Sequence, residues 1–242
     1  MNQEVRRSGV AGPLCIIGTS QIGAIYTAYA RDHASLNIEV DFFGCPGTEF
    51  ENIRVERDRV AGWTFSNRSE SRPLPDYAAI VVCGGLMSPQ LVALHNRNLT
   101  KAGFSSQVAA RAIQDMNSRH HAQSIRTDAA LSARSPAYAL SNPTPLDGPA
   151  VSQDEYDFGV AVIKRILGES RYIQHPAQML RPGYRGKPEH YRGSVAVDGS
   201  VSGAAGHERG HLNEVGGRLV LARILQVVGG WTEVSGNVAL GA

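Results

Sequence analysis

The sequence predicts an α/β protein, a three-layer α/β/α sandwich built on a mainly parallel sheet. Three observations lead there. Short, almost wholly apolar and β-branched runs, such as Ala78-Ala79-Ile80-Val81-Val82-Cys83, have the composition of strands buried on both faces. Other segments repeat apolar residues at intervals of three and four, the spacing of a helix with one buried stripe. The two kinds of segment alternate along the chain, which favours parallel strands joined by helical crossovers.

In chain order, Leu14-Cys15-Ile16-Ile17 reads as the first strand, Gly18-Thr19-Ser20 as a turn, and Ile22, Ile25, Tyr26 and Tyr29 as the stripe of the first helix. Residues 37–43 form a second strand, stopped by the turn signal Gly44-Cys45-Pro46-Gly47. The third strand, residues 78–83, ends at Gly84-Gly85. Val108, Ala112, Ile113 and Met116 mark a helix, as do Phe158, Val162, Ile163, Ile166 and Leu167, and a last one carries Val215, Leu219, Ala222, Leu225 and Val228. Residues 122–152, broken by Pro136, Pro143, Pro145 and Pro149, hold a short fourth strand at 137–140. Residues 171–206 are expected to be a long connection, either a lid facing substrate or a mobile surface segment. With no repeat and no linker, residues 1–242 are read as one domain.

Composition narrows the functional classes. At 242 residues and 42% hydrophobic, the chain can bury a sizeable core, so disorder is excluded as its main state. The 24 basic and 22 acidic side chains nearly cancel and form no basic block, which argues against nucleic acid or an anionic membrane as principal partner. No apolar run approaches the roughly 18 residues of a membrane span. The charged opening Met1 to Arg7 precedes too short an apolar run for a secretory signal. Cys15, Cys45 and Cys83 are odd in number and sit near the ends of apolar runs. The expectation is buried, reduced thiols in a cytoplasmic protein, with no disulfide framework.

In an open parallel sheet, ligands sit beyond the carboxyl ends of the strands, where the glycine turns fall. Ser20 lies there, at the opening of the first helix, where the N-terminus favours developing negative charge. Helix capping is its other possible role. Far along the chain, Glu208-Arg209-Gly210-His211-Leu212-Asn213 precedes the last amphipathic helix. A carboxylate and an imidazole three residues apart share one side of a helical turn, so Glu208 can fix the His211 tautomer while the other ring nitrogen takes a proton from Ser20. That is the orienter, base and nucleophile set of acyl transfer.

These blocks resemble those of the SGNH hydrolases, also called the GDSL esterase/lipase superfamily. Gly18-Thr19-Ser20 is similar to the nucleophile block, with Thr19 where Asp is usual. Gly44-Cys45-Pro46-Gly47-Thr48 is similar to the second block, whose glycine, here Gly47, donates a backbone N–H to the oxyanion beside that of Ser20. The run Glu208 to Asn213, followed by Gly216, is similar to the last block, with Glu for Asp. The resemblance covers residues 14 to about 228 and implies a flavodoxin-like sheet and a metal-free, cofactor-free Ser20-His211-Glu208 triad. It further implies a cleft at Gln21, Gly85 and Leu86 and an acyl ester as substrate, an acetylated carbohydrate among the candidates.

The chain departs from the pattern after the third strand. Cys83-Gly84-Gly85-Leu86-Met87 stands where the family has Gly-x-Asn-Asp, so Leu86 replaces an oxyanion donor. Loss of one such donor costs about 10²- to 10³-fold in rate. Either another group, such as Asn96, fills in, or two donors suffice, or the protein binds a ligand without turning it over. An O-acyltransferase is the nearest alternative activity. His207-Glu208-Arg209-Gly210-His211 is also a literal zinc-binding His-Glu-x-x-His, but it needs a continuous helix, Gly210 interrupts it, and the third ligand would have to be Glu214 or Glu233. His120-His121 reads as a helix end, Trp63 and Trp231 as packing. Arg181, Tyr184, Arg185, Lys187, His190, Tyr191 and Arg192 mix cations and aromatics as sugar- or phosphate-binding loops do, and as solvated loops also do.

Overall fold

The computed structural model describes residues 12–36, 38–118, 121–133, 136–168, 171–196, 198, 200 and 210–229. Strand β1 (Leu14–Gly18), buried at all five positions, passes through Thr19 and Ser20 into α1 (Gln21–Leu36). After β2 (Val40–Gly44) come a 3-10 turn (Gly47–Asn52), a small hairpin of β3 (Arg54–Glu56) and β4 (Arg59–Ala61), and the two-residue β5 (Phe65–Ser66). Then follow β6 (Ala79–Cys83), α2 (Pro89–Lys101), α3 (Ser106–Ser118), α4 (His121–Ser132), β7 (Ala137–Leu140), α5 (Gln153–Leu167), β8 (Tyr172–Ile173), a second hairpin of β9 (Leu180–Arg181) and β10 (Arg185–Gly186), and α6 (Glu214–Gly229).

The central sheet runs β5-β2-β1-β6-β7-β8, and only β5 is antiparallel to its neighbour. Register aligns the carboxyl ends. Gly18 pairs with Gly44 on one side and Cys83 on the other, Cys83 with Leu140, and Leu140 with Ile173, so five parallel strands finish in one row. Alternate strand residues face opposite ways. Ile17, Phe43, Val82 and Ala139 join a core with Val92 of α2, Ile113 of α3, Ile125 of α4 and Ile163 of α5. Ile16, Phe42 and Val81 join a second core with Ile22 and Ile25 of α1 and with Val220 and Ile224 of α6. Asp41 is the one charged side chain within β2, 1% exposed; Arg72 at 2.9 Å, Arg68 at 3.2 Å and the Tyr77 hydroxyl at 2.8 Å satisfy it.

Helix starts follow local chemistry. The Ser88 hydroxyl accepts from the Leu91 N–H and Pro89 opens α2, while Ser152 and Glu155 form a reciprocal capping box at α5. Two glycines let helices touch: a Cβ on Gly159 of α5 would lie 2.1 Å from the Pro89 carbonyl oxygen, and one on Gly217 of α6 would lie 2.1 Å from that of Ala24.

Several expectations need correction. The buried face of α3 is Ala109 and Ile113, whereas Val108 and Met116 are exposed. In α6 the buried face is Gly216, Gly217, Val220, Leu221, Ile224 and Leu225, one position round from the expected stripe, and Val215 and Ala222 face out. Gly216 and Gly217 carry no weight in an apolar pattern yet make the close contact, which turns the buried face towards them. His121 opens α4 instead of closing a helix, and its Nε2 lies 3.0 Å from the Ile53 carbonyl oxygen. The described part of residues 171–206 is built into the fold. It supplies β8 and the second hairpin, and Tyr191, 1% exposed, donates its hydroxyl to the Thr144 carbonyl at 2.6 Å. Trp63 packs on Phe43, and Trp231 and His120 lie outside the described residues. The three cysteines are buried free thiols. Among the described residues no helix is long and apolar enough to cross a membrane.

Candidate active site

The row of carboxyl ends carries the residues of interest. Ser20 stands two residues past the end of β1, half-buried, in the first turn leading to α1, where the Ile22 N–H bonds the Thr19 carbonyl and the Gly23 N–H bonds the Ser20 carbonyl. Among the described residues the Ser20 hydroxyl makes no hydrogen bond, so it does not cap α1. Gly47 is exposed and starts the 3-10 turn after β2, and the neighbouring Cys45 N–H bonds the Gly18 carbonyl at 3.2 Å, which fixes that turn beside the end of β1. The backbone N–H groups of Ser20 and Gly47 have no acceptor among the described residues.

The last block reaches the same edge through one bond. The Gln21 side-chain amide donates to the Gly210 carbonyl at 2.6 Å, so the residue after Ser20 holds the residue before His211. On its other side His211 is held by its successors. Leu212 is 1% exposed within the α1–α6 core. Asn213 caps α6, its Oδ1 accepting from the Gly216 N–H at 3.0 Å, and its Nδ2 donates to the carbonyls of Glu189 and Arg192, both at 2.8 Å. Leu212 and Asn213 are therefore a core anchor and a clamp, and His211 before them is half-buried. No direct hydrogen bond joins the His211 ring to the Ser20 hydroxyl.

Glu208 lies outside the described residues, as does His207. His211 itself is not helical: residues 211–213 are irregular and α6 begins at Glu214. A His-Glu-x-x-His zinc site needs both histidines on one continuous helix, and the backbone at His211 does not provide it. Among the described residues no three His, Cys, Asp or Glu side chains cluster as metal ligands would.

The block after β6 is built differently from expectation. Gly84 and Gly85 both have left-handed φ, +79° and +73°, and there is no room for a side chain: a Cβ on Gly84 would stand 2.5 Å from Thr19 Oγ1, one on Gly85 2.9 Å from Phe50 and Ala122. Leu86 is 2% exposed and packs with Phe50 and Val92, so its side chain does not line the cleft assigned to it. Gln21, 6% exposed, likewise spends its amide nitrogen on Gly210. Asn96 sits seven residues into α2, about 10 Å along a helix leaving the edge, too far to replace a donor there.

A different side chain does reach this place. Asn142, two residues past the end of β7, accepts the Gly85 N–H on Oδ1 at 3.0 Å, and its own N–H bonds the Leu86 carbonyl at 2.8 Å. The bond to Gly85 orients the amide so that Nδ2 points away from that loop, and Nδ2 has no acceptor among the described residues. Oδ1 of Asn142 would lie 3.1 Å from the same Gly84 Cβ position that Thr19 crowds. Asn142 therefore stands beside the Thr19-Ser20 turn. The sequence signal was present in Ser141-Asn142-Pro143, a polar residue and a turn former directly after the fourth strand.

Nearby, His175 follows β8, is 7% exposed and has Nε2 2.8 Å from the Ser141 carbonyl, with Nδ1 buried and unpartnered. Burial pushes its pKa down to about 4, the bond to the Ser141 carbonyl acting the other way. It is a neutral structural imidazole at neutral pH.

Comparison of the chain with protein-family models, with curated proteins and with solved structures finds no match.

Proposed function

We propose that the protein is a serine esterase that hydrolyses a small-molecule or carbohydrate acyl ester through an acyl-enzyme. The observation that carries this reading is the 2.6 Å hydrogen bond from Gln21 to Gly210, which ties the serine turn to the segment bearing His211 at one sheet edge. Backbone N–H groups of Ser20 and Gly47 and the Asn142 side-chain Nδ2, without acceptors among the described residues, support it. Two cores on opposite faces of the sheet, and the strand order within it, fit a three-layer α/β/α sandwich of flavodoxin-like type. Free thiols fit a reducing, cytoplasmic setting.

In this mechanism His211, oriented by Glu208, accepts the Ser20 proton as Oγ attacks the acyl carbonyl. The developing oxyanion is held by the Ser20 and Gly47 N–H groups and by Asn142 Nδ2, the last replacing the donor that Leu86 cannot supply. Collapse expels the alcohol with the proton from the imidazolium. Water then repeats the sequence on the acyl-enzyme, and an acceptor hydroxyl in its place makes the protein an O-acyltransferase.

A fluorophosphonate probe tests the nucleophile and p-nitrophenyl acetate the turnover. Wild type should label and hydrolyse, Ser20→Ala should do neither, and His211→Ala should lose turnover while keeping its fold. A folded wild type that neither labels nor hydrolyses is a ligand-binding relic of the fold, and the esterase reading is then wrong.

A further inference from the structure

The hairpin of β9 and β10 carries an arrangement that the esterase chemistry does not use. Arg181 and Arg185 are directly opposite each other in the antiparallel register, so both project from one face, where like charges repel. Seven other arginines, at 31, 54, 68, 72, 97, 111 and 218, pair with carboxylates. Among the described residues neither Arg181 nor Arg185 forms an ion pair with a carboxylate. The Nε of each is shut from solvent without an acceptor, which means that the stems are packed and the guanidinium planes held. Arg181 Nη2 donates to the Leu146 carbonyl at 2.8 Å, and the other Nη groups of the pair have no protein acceptor among the described residues.

The hairpin is also fixed in place. The Gly186 N–H bonds the Pro145 carbonyl, the Val151 N–H bonds the Gly183 carbonyl, and Tyr184 stacks on Tyr156 with centroids 4.2 Å apart. It thus lies along the loop that begins at Asn142, with Leu146 four residues on.

We propose that Arg181 and Arg185 form a binding site for an oxyanion group, carboxylate or phosphate, on the ligand. A guanidinium fork matches either group with two parallel hydrogen bonds, and an anion between two forks supplies the acceptors and the countercharge that the described residues do not. The site stands independently of Ser20; joined to the esterase reading, it makes the substrate an anionic ester.

The test is thermal unfolding and calorimetric titration at fixed ionic strength with inorganic phosphate and with glucuronate, chloride and glucose serving as controls. Wild type should gain stability saturably with one or both anions. Arg185→Gln should bind about tenfold more weakly or worse and should melt higher than wild type without anion, since repulsion is relieved. Arg185→Lys, which keeps the charge and loses the fork, should fall between them and guards against a misfolded glutamine variant. Response to glucuronate alone assigns a carboxylate, to phosphate alone a phosphate. Equal responses in wild type and both variants, or none in any, overturn the site. Ser20→Ala should respond as wild type does, and an anion response in a protein without Ser20-dependent turnover keeps this site while discarding the esterase.

Discussion

Gln21 and Gly210, 189 residues apart in sequence, are joined by a 2.6 Å hydrogen bond from the side-chain amide to the carbonyl oxygen. Gln21 is almost fully buried, and its Oε1 has no donor, so the net stabilisation from this side chain is small. Its consequence is positional: the start of α1 fixes where the His211 segment lies.

Gln21→Ala should therefore cost less than about 2 kcal/mol of stability, because one bond is lost and one orphaned acceptor with it. If the protein is the proposed esterase, turnover should fall about 10- to 100-fold, since a general base displaced by about an ångström transfers the proton less well. Thermal melts and steady-state kinetics on the same preparation decide the matter. A kcat equal to wild type reduces the bond to a packing feature.

Asn142→Asp is the cleanest probe of the third donor. The carboxylate still accepts from the Gly85 N–H, so the turn should persist, but the Nδ2 donor is gone and a negative charge faces the oxyanion. Expected is a loss in kcat of about 10²- to 10³-fold, with a smaller change in KM. Equal losses in kcat and in the folded fraction would point to the turn instead.

Leu86→Asn places an amide directly after Gly84-Gly85, and it should not raise activity. The side chain lies in the apolar cluster with Phe50 and Val92, so an amide there is buried without a partner. The variant should lose about 2–4 kcal/mol. Urea unfolding measures that, and a rate above wild type would show that position 86 does reach the cleft.

His175 predicts how stability varies with pH. Its native pKa of about 4 is below the ordinary 6.5, so the unfolded chain takes up a proton first on acidification. The contribution is complete above pH 6.5 and disappears as the pH falls towards 4, about 3 kcal/mol in all. His175→Gln should flatten the stability profile between pH 6.5 and 4, and an unchanged slope in that window removes His175 as its cause.

Gly217→Ala tests the contact between α1 and α6. The added methyl would meet the Ala24 backbone carbonyl at 2.1 Å, with no flexible side chain to give way, so the helices must separate, at about 1–3 kcal/mol. A melting temperature equal to wild type would mean that the helix pair can shift at no cost.

The class of fold and the first three parallel strands were legible because a strand buried on both faces leaves an unbroken apolar run, which needs no tertiary information to recognise. β7 was legible for the same reason, and so was the placing of Ser20 and Gly47 in the turns after β1 and β2 and of His211 ahead of α6, because punctuation by glycine and a helix start are local signals. The faces of α3 and α6 were not, since several residues at helical spacing are apolar and only the packing partner decides which of them turn inward. Nor was α4, whose buried residues are little more than Ala122, Ile125 and Ala129. Asn142, and the pairing of Arg181 with Arg185 within a loop legible only as a mixture of cations and aromatics, were beyond reach for a deeper reason. Each acquires its meaning from a neighbour distant in sequence, Gly85 for the one and a strand register for the other, and register is fixed by how the whole chain packs.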